Sequence, residues 1–501
     1  MDKVSPTDSG ILADALAANG HNLPMPCRGR HTCGKCGVYL AGAAEPPGDV
    51  EQSLLARNPA PQLPGYSWRL ACLARIRSEV SIVASSVAGV VVADVGMELV
   101  EYDGDAPASL GCAVDVGTTT VTLLLFRLGD RERVADVSEL NQQVVHGADV
   151  LSRIDAAAQV GVAALQSLIL AQLRRMLSRA LDSAGACAAD VSRVVITGNT
   201  TMLHLLTGRP VASLGVFPFT PDTRFGHAMP ACAVFPQLSA ELYLPPAISA
   251  YVGPDIVCGI LATGLGTHGR PEVLIDVGTN GEMVLVAHGR TLCCSTAAGP
   301  AFEGAEISAG MPALPGAIDG VWVDNGQVAY STIGKRRARG ICGTGLIGAV
   351  DTCLALGVLD ETGALDADFR VGDSGISITQ ADIRKLQLAK AAIAAGVDTL
   401  LSEAGLAPSA VAKLELAGGF GSYLQAEPAA AIGLFPRVLA SAVDPAGNTA
   451  LAGAVLLTLS RRARDAAARI AAEAEEIPLA ANAVFLDRYV ENMAFPEAGG
   501  P

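Results

Sequence analysis

Ala113 to Phe126 reads AVDVGTTTVTLLLF, and Val273 to Val286 reads VLIDVGTNGEMVLV. Laying Asp115 on Asp276 also superposes Val116 on Val277, Gly117 on Gly278 and Thr118 on Thr279, at a constant offset of 161 positions. Each stretch is an apolar strand, a polar glycine-containing turn and a second apolar strand. A repeat of this length marks a duplicated unit. Two such units would face their turns toward each other across a cleft.

Around the repeat, apolar β-rich runs alternate with Ala/Leu-rich helical stretches from Gly111 onward, the pattern of an α/β architecture. Ala157 to Ala184 reads as one helix. From Thr379 a second opens on a Thr-x-x-Asp cap formed with Asp382. A last long helix is expected to end near Glu475. Half of the residues are apolar, glycines number 54 and aromatics make up 4%, which suits tight α/β turns better than a β-sandwich.

The formal charge is −15, which argues against nucleic-acid binding. The basic runs Lys335 to Arg339 and Arg461, Arg462, Arg464 read as solvated faces. The N-terminus lacks the apolar core of a signal peptide, and no run approaches the roughly 18 apolar residues of a membrane span. A cytoplasmic protein is expected. There the 12 cysteines would not form disulfides, so clustered ones imply metal and scattered ones imply core.

One cluster exists. Cys27, Cys33 and Cys36 are followed by a lone Cys72, in the order C-x5-C-x2-C and then a long gap. This is close to the plant-type [2Fe–2S] ferredoxin pattern, with one extra residue in the first gap. Three thiolates on one loop and a distant fourth suit a two-iron cluster. Gly29, Gly34 and Gly37 let backbone N–H groups approach the sulfurs. Zinc sites favour paired short spacings, and only Cys33 and Cys36 form a close pair. Fewer residues than usual precede the first helix, Ile11 to Ala18, so the opening hairpin is expected to be truncated or the chain to start upstream. Cys112, Cys187, Cys232, Cys258, Cys293, Cys294, Cys342 and Cys353 lack ligand spacing and read as small buried hydrophobes.

The two Asp-x-Gly-Thr turns suit phosphate. Asp115 and Asp276 can hold Mg²⁺ through water, because that ion keeps much of its hydration shell. Gly117 and Gly278 let phosphates reach the backbone, while Thr118, Thr119, Thr120, Thr279 and Asn280 supply donors. A third element, Gly418-Gly419-Phe420-Gly421, follows the apolar strand Leu414 to Leu416 and would seat a base or ribose. Asn199 follows the strand Val194 to Ile196, where α/β proteins place ligands. Asp255 orients water or Mg²⁺ near the γ-phosphate, or caps a helix. Glu303 is an acid/base or a solvent-exposed turn residue. His204 reads as packed and Lys390 as a snorkelling helix lysine.

The three glycine-containing elements resemble the acetate and sugar kinase, Hsp70 and actin superfamily over Gly111 to about Pro501. That resemblance implies two ribonuclease-H-like lobes closing on ATP and Mg²⁺. Joined to an N-terminal ferredoxin module, the chain resembles the reductive activators of corrinoid-dependent methyltransferases. Further strings carry the likeness: Asn141-Gln-Gln with Gly147-Ala-Asp149 through Arg153, Thr197-Gly198-Asn199-Thr200, Tyr251-Val-Gly253-Pro-Asp255, Ala298-Gly299-Pro300-Ala-Phe302-Glu303-Gly304, Gly340 to Gly345, and Gly447-Asn448. The division expected is 1–84 ferredoxin-type β-grasp domain, 85–110 linker or short middle segment, 111–270 first lobe and 271–501 second lobe. Relatives of this kind carry a longer linker and a small middle domain, so a compact piece over Val87 to Tyr102 stands in for them here. As random coil the 26 residues would reach about 28 Å.

The resemblance implies ATP-dependent transfer of one electron from the [2Fe–2S] cluster to the Co(II) corrinoid of a methyltransferase system, restoring Co(I). It implies a corrinoid protein and an electron donor (ferredoxin, flavodoxin or reductase) as partners, and a homodimer. Two other readings stand beside it: a small-molecule kinase with a regulatory iron–sulfur module, and an activator of a radical dehydratase or reductase.

Overall fold

The computed structural model describes residues 2–7, 9–18, 31, 36–57, 66–84, 102–104, 106–304, 306–418 and 424–497. Its first part is a four-stranded antiparallel sheet made of β1 (Asp2–Val4), β2 (Gly37–Ala41), β3 (Ser67–Leu70) and β4 (Val80–Ala84), in the order β1-β4-β2-β3. Helices α1 (Leu12–Ala18) and α2 (Asp49–Arg57) pack on it, where the sequence reading expected one helix. A single strand rather than a hairpin precedes α1, and it pairs with β4. The core is small, built from Val4, Leu12, Leu16, Val38, Leu40, Leu70, Ile76 and Ile82. A buried ion pair reinforces it, with the Arg69 guanidinium donating two bonds of 2.8 Å to Glu51.

The repeat becomes two sheets of the same design. In the first, β5 (Leu110–Val116), β6 (Thr120–Arg127) and β7 (Arg133–Leu140) form an antiparallel meander. After α3 (Val150–Val160) and α4 (Val162–Ala184), β8 (Val191–Gly198) lies parallel to β5. Then follow α5 (Thr200–Thr207), β9 (His227–Pro230), β10 (Glu241–Leu244) and α6 (Pro254–Thr263). The order is β7-β6-β5-β8-β10-β9. The long helix expected over Ala157 to Ala184 is instead two helices bent by 117° at Gly161, whose φ of +84° departs from helical backbone.

In the second sheet β11 (Glu272–Val277), β12 (Gly281–Ala287) and β13 (Arg290–Thr296) repeat the meander. A small sheet of β14 (Ala317–Asp324), β15 (Gln327–Thr332) and β16 (Gly340–Ile341) follows, then α7 (Gly343–Ala355), a hairpin of β17 (Phe369–Arg370) and β18 (Ser377–Ile378), and α8 (Gln380–Glu403). Thr379 and Asp382 cap α8 reciprocally, as their spacing foretold. β19 (Lys413–Ala417) returns parallel to β11. After α9 (Ala426–Ala431), β20 (Val443–Gly447) adds to β19. The chain ends through α10 (Thr449–Leu459), α11 (Arg461–Glu473), β21 (Glu475–Glu476) and α12 (Ala483–Glu491). The single last helix of the sequence reading is thus interrupted at Ser460, whose extended backbone caps α11. The sheet order is β20-β19-β11-β12-β13-β21, so both sheets share a 3-2-1-4-5 core.

Both faces of the central strands are covered, which explains their unbroken apolar runs. In β5, Cys112, Val114 and Val116 enter the core with α3 to α5, while Ala113 enters a core shared with α6, α10 and α11. That shared core also takes Leu274, Val284 and Ala417 from the second sheet. α6 and α10 cross in backbone contact. A Cβ on Gly453 would lie 2.5 Å from Cys258 Cα, so only glycine fits there.

Three expectations are corrected. Lys390 does not snorkel; it is fully buried, with its amine donating to the carbonyls of Asn492 and Ala494. Cys187 and Cys232 are exposed, whereas the other scattered cysteines are buried. Of the basic runs, Lys335 to Arg339 and Arg461 with Arg462 are solvent-exposed as expected, Lys335 also bonding Asp14 of the N-terminal module at 2.7 Å, whereas Arg464 is packed over the Tyr243 ring and paired with Glu241. Among the described residues no single helix is long and apolar enough to cross a membrane.

Candidate functional site

The carboxyl ends of the parallel strands converge, which is where open α/β sheets place ligands. Asp115 closes β5, Asn199 follows β8, Asp276 closes β11, Gly418 follows β19 and Asn448 follows β20. Asp255 reaches the same place from the first turn of α6, whose N-cap is Gly253, so it is not the helix cap.

Four carboxyl groups therefore meet in the cleft, Glu282 buried and the three aspartates partly exposed. Burial pushes Asp115 up to about 6, against the lowering effect of Asn448. Asp276 rises to about 7, through burial and then repulsion from Asp115. Asp255 rises to about 8, through burial and then repulsion from Asp276 and Asp115. Glu282 is also raised well above the usual carboxylate range, by burial and then by Asp255 and Asp276. Like charges in a low-dielectric site hold protons that a divalent cation would displace. The donor set thus fits Mg²⁺. Among the described residues no three acidic, imidazole or thiol groups are arranged to ligate one ion directly, so the cation would be held through its water shell.

The two Asp-x-Gly-Thr turns touch. The hydroxyl of Thr119 donates to Glu303 Oε2 at 2.9 Å, and that of Thr279 donates to the same oxygen at 2.7 Å. The two hydroxyl oxygens lie 3.2 Å apart. Glu303 is therefore no solvent-exposed turn residue. Asn199 donates to the hydroxyl of Thr118 at 2.9 Å and caps α5 through Met202 N. The Asn280 side chain bonds Glu282. Thr120 is exposed at the start of β6, and its carbonyl receives the N–H of Gly117, just as that of Asn280 receives the N–H of Gly278. Gly418 lies at φ +87°, and a Cβ there would stand 2.6 Å from Asp276 Oδ1. Gly419, Phe420 and Gly421 lie outside the described residues.

Four residues of this cleft escaped the site reading. Asn448 donates to Asp115 at 2.9 Å. Asn141 donates its backbone N–H to the Thr119 carbonyl and its side-chain amide to that of Gly117, both at 2.8 Å. Arg153, fully buried, donates to the Thr118 carbonyl at 2.6 Å. Glu282 is the fourth. The first three stood in the strings that carried the resemblance, and Glu282 stood in the repeat itself.

In the N-terminal module, Cys36 precedes β2 and Cys72 follows β3. Both are buried, with sulfurs 3.2 Å apart, well beyond the ~2.05 Å of a disulfide. The Ala71 N–H donates to the Cys36 carbonyl at 2.8 Å, and the Cys72 N–H points at Cys36 Sγ at 3.5 Å. Glu51, besides holding Arg69, accepts the Leu70 N–H, which fixes the strand end that delivers Cys72. Two adjacent buried thiols with an amide aimed at sulfur fit an iron–sulfur cluster. Cys27 and Cys33 lie outside the described residues.

Residues 3–77 match the 2Fe-2S iron-sulfur cluster binding domain, 110–268 the RACo middle region and 270–500 the C-terminal domain of RACo, the ASKHA domain. The corrinoid activation enzyme RamQ of Eubacterium limosum is 31% identical over 418 residues, covering 77% of this chain and 70% of its own. The chain belongs to the corrinoid reductive activators. Another relative of these activators, the [Co(II) methylated amine-specific corrinoid protein] reductase of Methanosarcina barkeri, is 28% identical over 430 residues, covering 78% of each. A solved structure named reductive activator for corrinoid, iron-sulfur protein superposes with a TM-score of 0.72 at 27% identity, covering 99% of this chain and 97% of its own. The match to the RACo middle region thus covers the first sheet, and the compact piece expected over Val87 to Tyr102 lies, up to residue 101, outside the described residues.

Proposed function

We propose that this chain is an ATP-dependent reductive activator that gives one electron to the Co(II) corrinoid of a methyltransferase system and restores Co(I). One observation carries the reading: a single chain joins a buried thiol pair in a ferredoxin-type sheet to two phosphate turns meeting across a cleft. The [2Fe–2S] cluster, when bound, supplies the one-electron carrier. Cys36 and Cys72 hold it together with Cys27 and Cys33.

ATP is the substrate of the cleft. Gly117 to Thr120 and Gly278 to Asn280 take its phosphates, with Asn199 fixing Thr118. Asp115, Asp276 and Asp255 keep Mg²⁺ in its water shell. Gly418 to Gly421 take the adenosine. The uphill transfer costs roughly 2.3 kcal/mol per 100 mV, a size that differential binding of ATP to two conformers can supply. The physiological donor is a ferredoxin, a flavodoxin or a reductase. The chain works as a cytoplasmic homodimer. Nothing among the described residues favours the kinase or dehydratase-activator reading over this one.

The test is anaerobic. Reduced activator is mixed with a purified Co(II) corrinoid protein, and the Co(I) absorption band is followed with and without MgATP. Appearance of the band only with nucleotide supports the reading. A band that forms equally without ATP, or never, refutes it.

A further inference from the structure

The two phosphate turns come from opposite sheets, yet their hydroxyls converge on one atom. Glu303 Oε2 accepts from Thr119 at 2.9 Å and from Thr279 at 2.7 Å, with the hydroxyl oxygens 3.2 Å apart. The turn backbones behind them are pinned. The Thr119 carbonyl accepts the Asn141 N–H at 2.8 Å, and the Thr279 carbonyl accepts the Gly299 N–H at 3.0 Å. Glu303 is delivered by a short 3₁₀ turn, Pro300–Glu303, and the Arg153 guanidinium lies near enough to attract it.

A hydroxyl pair aimed at one anionic oxygen is the arrangement that a phosphate oxygen would meet. Here a carboxylate oxygen has it. Resting on the reading of this cleft as an ATP site, we infer that Glu303 stands where the terminal phosphate of a bound triphosphate goes, and so sets the discrimination between nucleoside tri- and diphosphates. A γ-phosphate entering between the turns meets a like charge in a poorly screened place and must displace it. A diphosphate stops short of the bridge and leaves it closed. Glu303 is in this account a specificity-determining residue that reports the third phosphate by moving. It touches no reacting atom.

The experiment uses the full chain with its cluster reconstituted anaerobically. Calorimetry measures ADP and the β,γ-imido analogue of ATP, each with Mg²⁺, on the wild type, Glu303→Gln and Glu303→Ala. Glutamine keeps an acceptor for the threonines without the charge, and alanine removes both. Both variants should bind the triphosphate analogue tighter, alanine by about tenfold, with ADP changed less than about twofold. Unchanged or weaker triphosphate binding would overturn the inference, as would an equal gain for ADP. A measurement on the wild type alone guards against variants that fold poorly. Hydrogen exchange across 299–304 should speed up with the triphosphate analogue and not with ADP, and added protection would overturn the inference. A wild type that binds neither nucleotide would instead overturn the ATP reading itself, and this inference with it.

Discussion

Asn448 donates its side-chain amide to Asp115 Oδ2 at 2.9 Å although 333 positions separate them. Its own oxygen simultaneously accepts the Leu451 N–H at 2.8 Å, capping α10. One side chain thus ties the aspartate of the first Asp-x-Gly-Thr turn to the helix that crosses α6 between the two sheets. Asn448→Ala should cost about 1 kcal/mol of stability through the lost cap and should raise the KM for MgATP. Asn448→Ser, which caps but is too short to reach Asp115, should recover the stability in urea denaturation and leave the KM high. Recovery of both by serine would show that the bond to Asp115 does nothing.

Gly418→Ala should damage nucleotide binding more than folding. The position has φ +87°, and a Cβ would meet Asp276 Oδ1 and the Val277 carbonyl at 2.6 Å. Backbone strain of this kind costs on the order of 1–3 kcal/mol, and its relief must move Asp276. Calorimetry should show ATP affinity down by at least about tenfold, while the absorbance of the cluster, whose nearest cysteine is Cys72, stays unchanged. Wild-type affinity in the variant would mean that a side chain at 418 does not press on Asp276 and its turn.

Lys390 gives a pH dependence. Burial depresses its pKa from 10.5 to about 7, while the carbonyls of Asn492 and Ala494 and the Phe495 ring at 4.9 Å keep the amine in place. The unfolded chain holds this proton up to about 10.5, whereas the folded chain sheds it above about 7. Stability therefore rises with pH across that window. Comparison with Lys390→Met isolates the group. Between pH 7 and pH 9 the wild type should gain on the order of 1–3 kcal/mol relative to the variant in urea denaturation. A gain of the opposite sign would place the charged form as the native one.

Cys36→Ser and Cys72→Ser should each abolish the visible absorption of the reconstituted cluster and the ATP-dependent reduction of the corrinoid protein. ATP binding by the lobes should persist, because their cores are separate from the small core that buries these two sulfurs. Bound zinc in place of iron and sulfide in the wild type would contradict the assignment.

Much of this is legible in the sequence. The repeated turns announced two matching sheets, because a strand–turn–strand unit is local: its glycine, its threonines and its flanking apolar runs lie within 14 residues. The cysteine spacing announced its module for the same reason, as did the reciprocal cap of Thr379 and Asp382. Lys390 was misread because helical position says which face a lysine shares but not what covers that face. The C-terminal segment that supplies its acceptors is about 100 positions away.

By itself the sequence determined the kind of module: a cysteine pattern of the ferredoxin type, paired Asp-x-Gly-Thr turns, and two units of one design. Only the tertiary structure decided which charges must coexist. Asp115, Asp255, Asp276 and Glu282 come from four elements, and Glu303 and Asn448 each join parts of the chain that no local pattern relates. Electrostatic interaction depends on distance in space and on exclusion of water, and both are set by packing rather than by order along the chain.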